Sequence, residues 1–239
     1  MKLVLFLIVS LLFIGISQAN ELTNNEEAKP NIIVVMTDDQ GQWTLPSYGQ
    51  KHIKTPNIDY LADQGVRFEN AMTPAPVCSA ARASFHTGKM PSQHGVYDFL
   101  SEGKGFNNNW LQVEKLLSER MKENGYRTAL LGKWHASKAS PEPVRGFDRW
   151  LSYDAVKAGW KNQYNHSGKV LFSDDGVNYE HTGVQARFIT EEAIKFIDQE
   201  NDEKPFFINI NFVEPHFPFE GLPERLVNKY RHIARNIIR

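Results

Sequence analysis

Three short stretches of this chain are too apolar for strands that keep one face in water: 31–36 (NIIVVM), 126–134 (YRTALLGKW) and 206–212 (FFININF). Such runs suit strands covered on both faces, the usual condition of a parallel sheet. Parallel neighbours need long crossovers, and the intervals here hold amphipathic helices. Thr55-Pro56-Asn57 reads as a helix start, with Pro56 at the first helical position, Ile58, Leu61 and Ala62 turned inward, and Gly65 as the stop. Residues 111–124 predict a second helix, with Val113, Leu116, Leu117 and Met121 as its buried stripe and Gly125 as its cap. Residues 185–199 predict a third, with Phe188, Ile189, Ala193, Phe196 and Ile197 inward. The alternation places the chain in the α/β class, with a mainly parallel central sheet flanked by helices. Residues 66–71 alternate like a short strand. Residues 136–181, rich in Gly, Asn, Asp and aromatic side chains, read as long surface loops, and the tail 224–239 is basic and amphipathic.

The first residues bear on compartment. Lys2 is followed by an uncharged apolar stretch, 3–16, and then by Ser17-Gln18-Ala19. Residues 1–19 therefore read as a secretory signal peptide, too short for a comfortable membrane span, with an uncleaved anchor as the alternative. Residues 20–29 (NELTNNEEAK) form a polar leader, and the chain is expected to be secreted or periplasmic. Lys and Arg number 27 against 28 Asp and Glu, a net charge of −1. That balance supplies no strong field to gather nucleic acid or a membrane surface, and no stable membrane insertion is expected after signal cleavage.

In parallel sheets ligands collect beyond the carboxyl ends of the strands. The first apolar run ends in Asp38-Asp39, the second in Gly132-Lys133-Trp134-His135, and the third in Glu214-Pro215-His216. The one cysteine, Cys78, stands at the start of a predicted short helix, with Arg82 four residues on. Each feature has a plainer reading. Adjacent aspartates after a strand also serve as turn or cap residues. Lys133 and His135 are also read as solvated side chains, and His216 as a loop hydrogen-bonding residue. A lone cysteine in an exported chain forms no internal disulfide, so it is either an inert buried hydrophobe or has chemistry of its own. The plainer readings weaken when all five features fall at strand ends or on one helix start.

Those residues resemble the N-terminal half of the type I sulfatases, members of the alkaline-phosphatase-like superfamily. The resemblance rests on Asp38-Asp39, Cys78-Ser79-Ala80-Ala81-Arg82, Gly132-Lys133-Trp134-His135 and Pro215-His216, with Thr55-Pro56-Asn57-Ile58-Asp59 and His94-Gly95-Val96 in support. It implies that a maturation enzyme oxidises Cys78 to Cα-formylglycine. A hydroxyl of the hydrated aldehyde would attack the sulfur of a sulfate ester, and the second hydroxyl would expel sulfate. It implies Ca²⁺, with Mg²⁺ as the alternative, bound by Asp38, Asp39 and the oxygen at position 78; hard oxygen donors suit both ions. Arg82, one helical turn from Cys78, would hold the diol. Lys133 would bind a sulfate oxygen, His135 would help deprotonate the diol, and His216 would donate towards the departing alkoxide as a substrate-binding residue. The implied partners are a sulfated small molecule or sulfated glycan and the formylglycine-generating enzyme.

Two departures matter. Ala80 stands where many sulfatases carry proline, which bears on the maturation system that accepts the motif. Family members are about twice as long, so residues 30–239 are expected to form a sulfatase N-terminal catalytic domain incomplete at its C-terminus. Glu220, Glu224, Asn228 and Asn236 are in the wrong context to complete the metal site. Two other readings stay open: a phosphate or phosphonate ester hydrolase of the same superfamily, and an inactive remnant. Trp150, Tyr153, Trp160 and Tyr164 either stack on a sugar or pack internally.

Overall fold

The computed structural model describes residues 28–100, 110–137, 142–199, 204–219 and 221–237; the predicted signal peptide, most of the polar leader and Glu220 lie outside the described residues. Residues up to Asn31 form a unit of their own, and the fold below is that of Ile32 onward. In chain order it comprises β1 (Ile32–Met36), α1 (Pro56–Gln64), α2 (Cys78–Thr87), α3 (Pro91–His94), α4 (Trp110–Val113), α5 (Leu117–Glu123), β2 (Arg127–Gly132), β3 (Arg149–Tyr153), α6 (Ala155–Ala158), β4 (Ser167–Asp174), β5 (Val177–Val184), α7 (Gln185–Ile197), β6 (Phe206–Asn211) and α8 (Glu224–Ile237).

The six strands form one sheet in the order β1-β6-β2-β3-β4-β5. The first four positions are parallel, as the apolar runs require, and β4 and β5 continue the sheet antiparallel. Side chains alternate across a strand, so each central strand feeds two cores. Ala129, Leu131, Ile208 and Ile210 face one way and meet Phe188, Ile189, Ala193 and Phe196 of α7. Leu130 and Phe207 face the other way and meet Ala80 and Ala83 of α2, with Leu116, Trp134 and Trp150 around them. Full burial of a Leu or Ile stabilises by roughly 1.5–3 kcal/mol, so these two layers hold the sheet ends in place. No helix among the described residues is long and apolar enough to cross a membrane.

Several local expectations are corrected. Residues 136–181 are not long loops: β3, β4 and β5 lie there. Asp174 pairs with Val177 across a two-residue turn whose residues, Asp175 and Gly176, have φ of 48° and 90°. An Asp-Gly pair between alternating segments is the usual hairpin signal. Residues 111–124 are two helices, interrupted where Glu114 is buried and paired at 2.6 Å with Lys89, and Val113 is exposed. Residues 66–71 form no strand. β1 is an edge strand with Ile33 and Val35 more than half exposed, and Ile58 and Leu61 of α1 are exposed too. α7 packs on β2 and β6 and, through Phe188, on Phe172 of β4 and Tyr179 and His181 of β5. β1 packs through Ile32 and Val34 on the second core, while its Ile33 and Val35 and the Ile58 and Leu61 of α1 have no cover among the described residues. Trp150 and Tyr153 are core residues, and the Trp160 side chain lies outside the described residues.

Candidate active site

β6 lies between β1 and β2, so the carboxyl ends of the three apolar strands are adjacent. The ladder continues past the strands: Phe212 N–H donates to Met36 O at 2.9 Å and Lys133 N–H to Asn211 O at 2.9 Å. Gly132 makes this possible. Its φ is +105°, and a Cβ there would stand 2.0 Å from the Asn211 carbonyl oxygen. The Asn211 amide returns a bond to Lys133 O at 2.9 Å, and the Arg82 guanidinium donates to the same oxygen at 2.8 Å.

α2 begins at Cys78, and Ala80 and Ala83 let it lie close against the sheet. Arg82 is one turn further along the same face and fully buried. Its guanidinium is 3.8 Å from Asp38 Oδ2, and the buried Lys133 ammonium contacts the same oxygen. Burial alone would raise the Asp38 carboxyl, but Lys133 and Arg82 outweigh it and hold it below the usual carboxylate range. Burial draws the Lys133 ammonium down, and Asp38 opposes this.

His135 Nδ1 lies 3.3 Å from Cys78 Sγ, and its Nε2 lies 3.0 Å from Leu100 O. A carbonyl only accepts, so Nε2 carries the proton and the Nδ1 lone pair faces position 78. Burial, with Lys133 adding to it, pushes the His135 pKa down to about 3. Burial also pushes the Cys78 thiol up. The pair is therefore neutral thiol and neutral imidazole, not thiolate and imidazolium. Asp39 and His135 both have left-handed backbones, with φ of 57° and 45°, a strained conformation that clusters at functional sites.

His216 closes the far side. Its Nε2 is 3.4 Å from Asp39 Oδ2, Nδ1 donates to the Phe217 carbonyl, and its ring stacks on Tyr164 at 4.4 Å. The same Tyr164 ring lies 4.9 Å from the Lys133 ammonium. Asp39, Cys78, Tyr164 and His216 line a cleft of about 970 Å³, with Phe99, Lys161 and Phe217 at its sides. A cleft of that size takes a ligand well beyond a bare sulfate.

All seven side chains read from the strand ends and the cysteine segment thus meet at one edge of the sheet. Local pattern missed Tyr164 as a partner of Lys133 and His216, and missed the Leu100 carbonyl. Asn211 did carry a signal, as a polar residue inside an apolar strand. Asp38 and Asp39 are hard oxygen donors beside position 78, which suits Ca²⁺ or Mg²⁺ in kind. No group of three or more His, Cys, Asp or Glu among the described residues is placed to hold a metal ion. The remaining donors for such an ion would come from water, substrate or further polypeptide.

The profile of the sulfatase family matches residues 30–236. The chain belongs to the sulfatase family. It is 31% identical to the ulvan-active sulfatase of Formosa agariphila over 215 residues, covering 86% of this chain and 39% of that one. It is likewise 31% identical to the N-acetylglucosamine-6-O-sulfatase of Bacteroides thetaiotaomicron, covering 92% of this chain and 37% of the relative. A protein solved with its substrate D-glucosamine-2-N,6-O-disulfate superposes with a TM-score of 0.67 at 29% identity, over 79% of this chain and 35% of that one. The chain thus spans about two-fifths of the length of these sulfatases. The sheet shares the alkaline-phosphatase-like fold of the solved sulfatases.

Proposed function

We propose that this chain supplies the nucleophile and the sulfate-binding groups of a sulfuric ester hydrolase. The substrate class is a sulfated glycan or sulfated small molecule. The names of the relatives support the glycan side, since one acts on ulvan and another on an N-acetylglucosamine 6-O-sulfate. The observation that carries the reading is position 78, within 3.3 Å of the His135 lone pair and beside Arg82, Lys133 and Asp38. As a thiol, Cys78 is pushed up by burial, which outweighs the Lys133 and Arg82 cations that favour the thiolate. Cα-formylglycine at this position would supply a hydrated aldehyde as nucleophile and, at the end of the cycle, the group that expels sulfate. Asp38 and Asp39 would hold Ca²⁺, or Mg²⁺, which would lower the pKa of a hydroxyl beside it and offset sulfate charge.

The chain's own residues do the rest. Arg82 and Lys133 put two cations against an anionic centre in a buried setting, where their attraction for developing charge is strong. His135 Nδ1 accepts a proton from an oxygen on residue 78. His216 donates a proton towards the leaving alcohol. The polypeptide is exported with a signal peptide at 1–19 and meets a formylglycine-generating enzyme on the way.

Mass spectrometry of the tryptic peptide carrying residue 78 tests the first requirement, after expression beside aerobic and anaerobic maturases in turn. An aldehyde mass is expected. Matured protein is expected to turn over 4-nitrophenyl sulfate in preference to 4-nitrophenyl phosphate. A thiol mass with both maturases favours an inactive remnant, and preference for the phosphate replaces the reading with the phosphoesterase one.

A further inference from the structure

We propose that His166, paired with Glu214, is a positioning residue that sets the aim of the His216 imidazole by holding the His216 main chain. The role rests on the reading of His216 as proton donor to the leaving alcohol. His166 is almost wholly buried just before β4, and none of the motifs includes it. Its Nε2 lies 2.7 Å from the His216 carbonyl oxygen. That oxygen only accepts, so Nε2 carries a proton and donates. Its Nδ1 lies 3.6 Å from Glu214 Oε1, an ion-pair distance, so the carboxylate favours a second proton on the ring.

The frame around this contact is hydrogen-bonded on both sides. The His166 carbonyl accepts the Gln185 N–H at 3.0 Å, which anchors it to the start of α7. The Glu214 carbonyl accepts the Asp38 N–H at 3.3 Å, and the His216 N–H donates to Val213 O at 2.9 Å. Two residues before His166, Tyr164 stacks on the His216 ring at 4.4 Å. One short segment therefore grips His216 twice, by its ring and by its main chain. A core histidine needing only a partner could use any carbonyl. This one uses the carbonyl of the residue whose ring faces Asp39 across the cleft, with a carboxylate from the same tripeptide behind it.

Isosteres separate the contacts. His166→Gln keeps a donor near the Nε2 position, while His166→Asn keeps only one near Nδ1. The readouts are the His216 imidazole resonances by NMR, and kcat/KM for phenyl sulfate against 4-nitrophenyl sulfate on the matured chain. In H166N the His216 resonances are expected to shift. The poorer leaving group is expected to lose at least about tenfold more than the better one, because general-acid help matters most there. H166Q is expected to restore both readouts, and H216A to show the same leaving-group bias without adding to that of H166N. Glu214→Gln carries the same expectation in smaller measure and serves if H166N fails to fold. Unchanged His216 resonances in both H166N and E214Q, or equal loss on both substrates, overturns the proposal. If no form of the chain turns over sulfate, the sulfatase reading fails, and the NMR arm alone decides the positioning claim.

Discussion

Cys78 is poorly suited to act as a thiol, because its burial opposes the thiolate while His135 stays neutral beside it. Cys78→Ala is expected to leave the melting transition nearly unchanged and to lower kcat/KM for an aryl sulfate by at least about a thousandfold, as loss of a nucleophile does. Retained turnover would remove position 78 from the chemistry. A second residue, His86, lies buried one turn beyond Arg82, between the rings of Trp134, Phe85 and Phe147. Burial, with Arg82 adding to it, pushes its pKa down to about 3. The unfolded chain protonates a histidine near pH 6.5, so between these values the unfolded state binds more protons. Stability is therefore full above about pH 6.5 and falls towards pH 3, by up to about 1.4 kcal/mol per pH unit for this group. His86→Phe is expected to flatten the slope of unfolding free energy in urea between pH 7 and 4.5; an unchanged slope would contradict it. At this scale the motif residues were legible because each lies next to a recognisable neighbour in the chain. His166 was not, because its partners are 48 and 50 residues away.

Among the elements, Gly132 carries the most geometry for one residue. Its left-handed φ and the 2.0 Å approach of Asn211 O leave no room for a side chain at the junction that delivers Lys133. Gly132→Ala is expected to cost roughly 2–4 kcal/mol of unfolding free energy, since the clash is with backbone and the φ is strained for alanine. Denaturant titration checks this, and a cost below about 1 kcal/mol would show that the junction yields. The other misread elements had physical signals of differing strength. The Asp175-Gly176 turn was visible as a hairpin dipeptide and should have divided 136–181 into strands. The break at 114–116 was not, since the stripe runs on through it and the Lys89–Glu114 pair that lies there joins distant segments. The inward stripe of α1 was read correctly as a stripe and wrongly as buried, because periodicity specifies a face and not what lies over it.

At the scale of the whole fold, the consequence is one strand face left uncovered among the described residues. Among the described residues β1 has only β6 as a neighbour, carries no charge or proline, and shows Ile33 and Val35 at 51% and 58% exposure. An apolar open edge pairs readily with another chain. Purified chain is expected to show concentration-dependent association in sedimentation velocity, and Ile33→Lys with Val35→Lys is expected to shift it towards monomer. Identical distributions for both would exclude the edge as the cause. The sequence by itself determined the α/β class, the three apolar strands, and the chemical groups that follow each of them, because these depend on near neighbours. Tertiary structure alone decided that β6 inserts between β1 and β2, that Tyr164 and His166 reach His216, and that the outer edge of β1 is unpaired among the described residues. Strand order and cover are settled by packing between distant segments, and no local period encodes them.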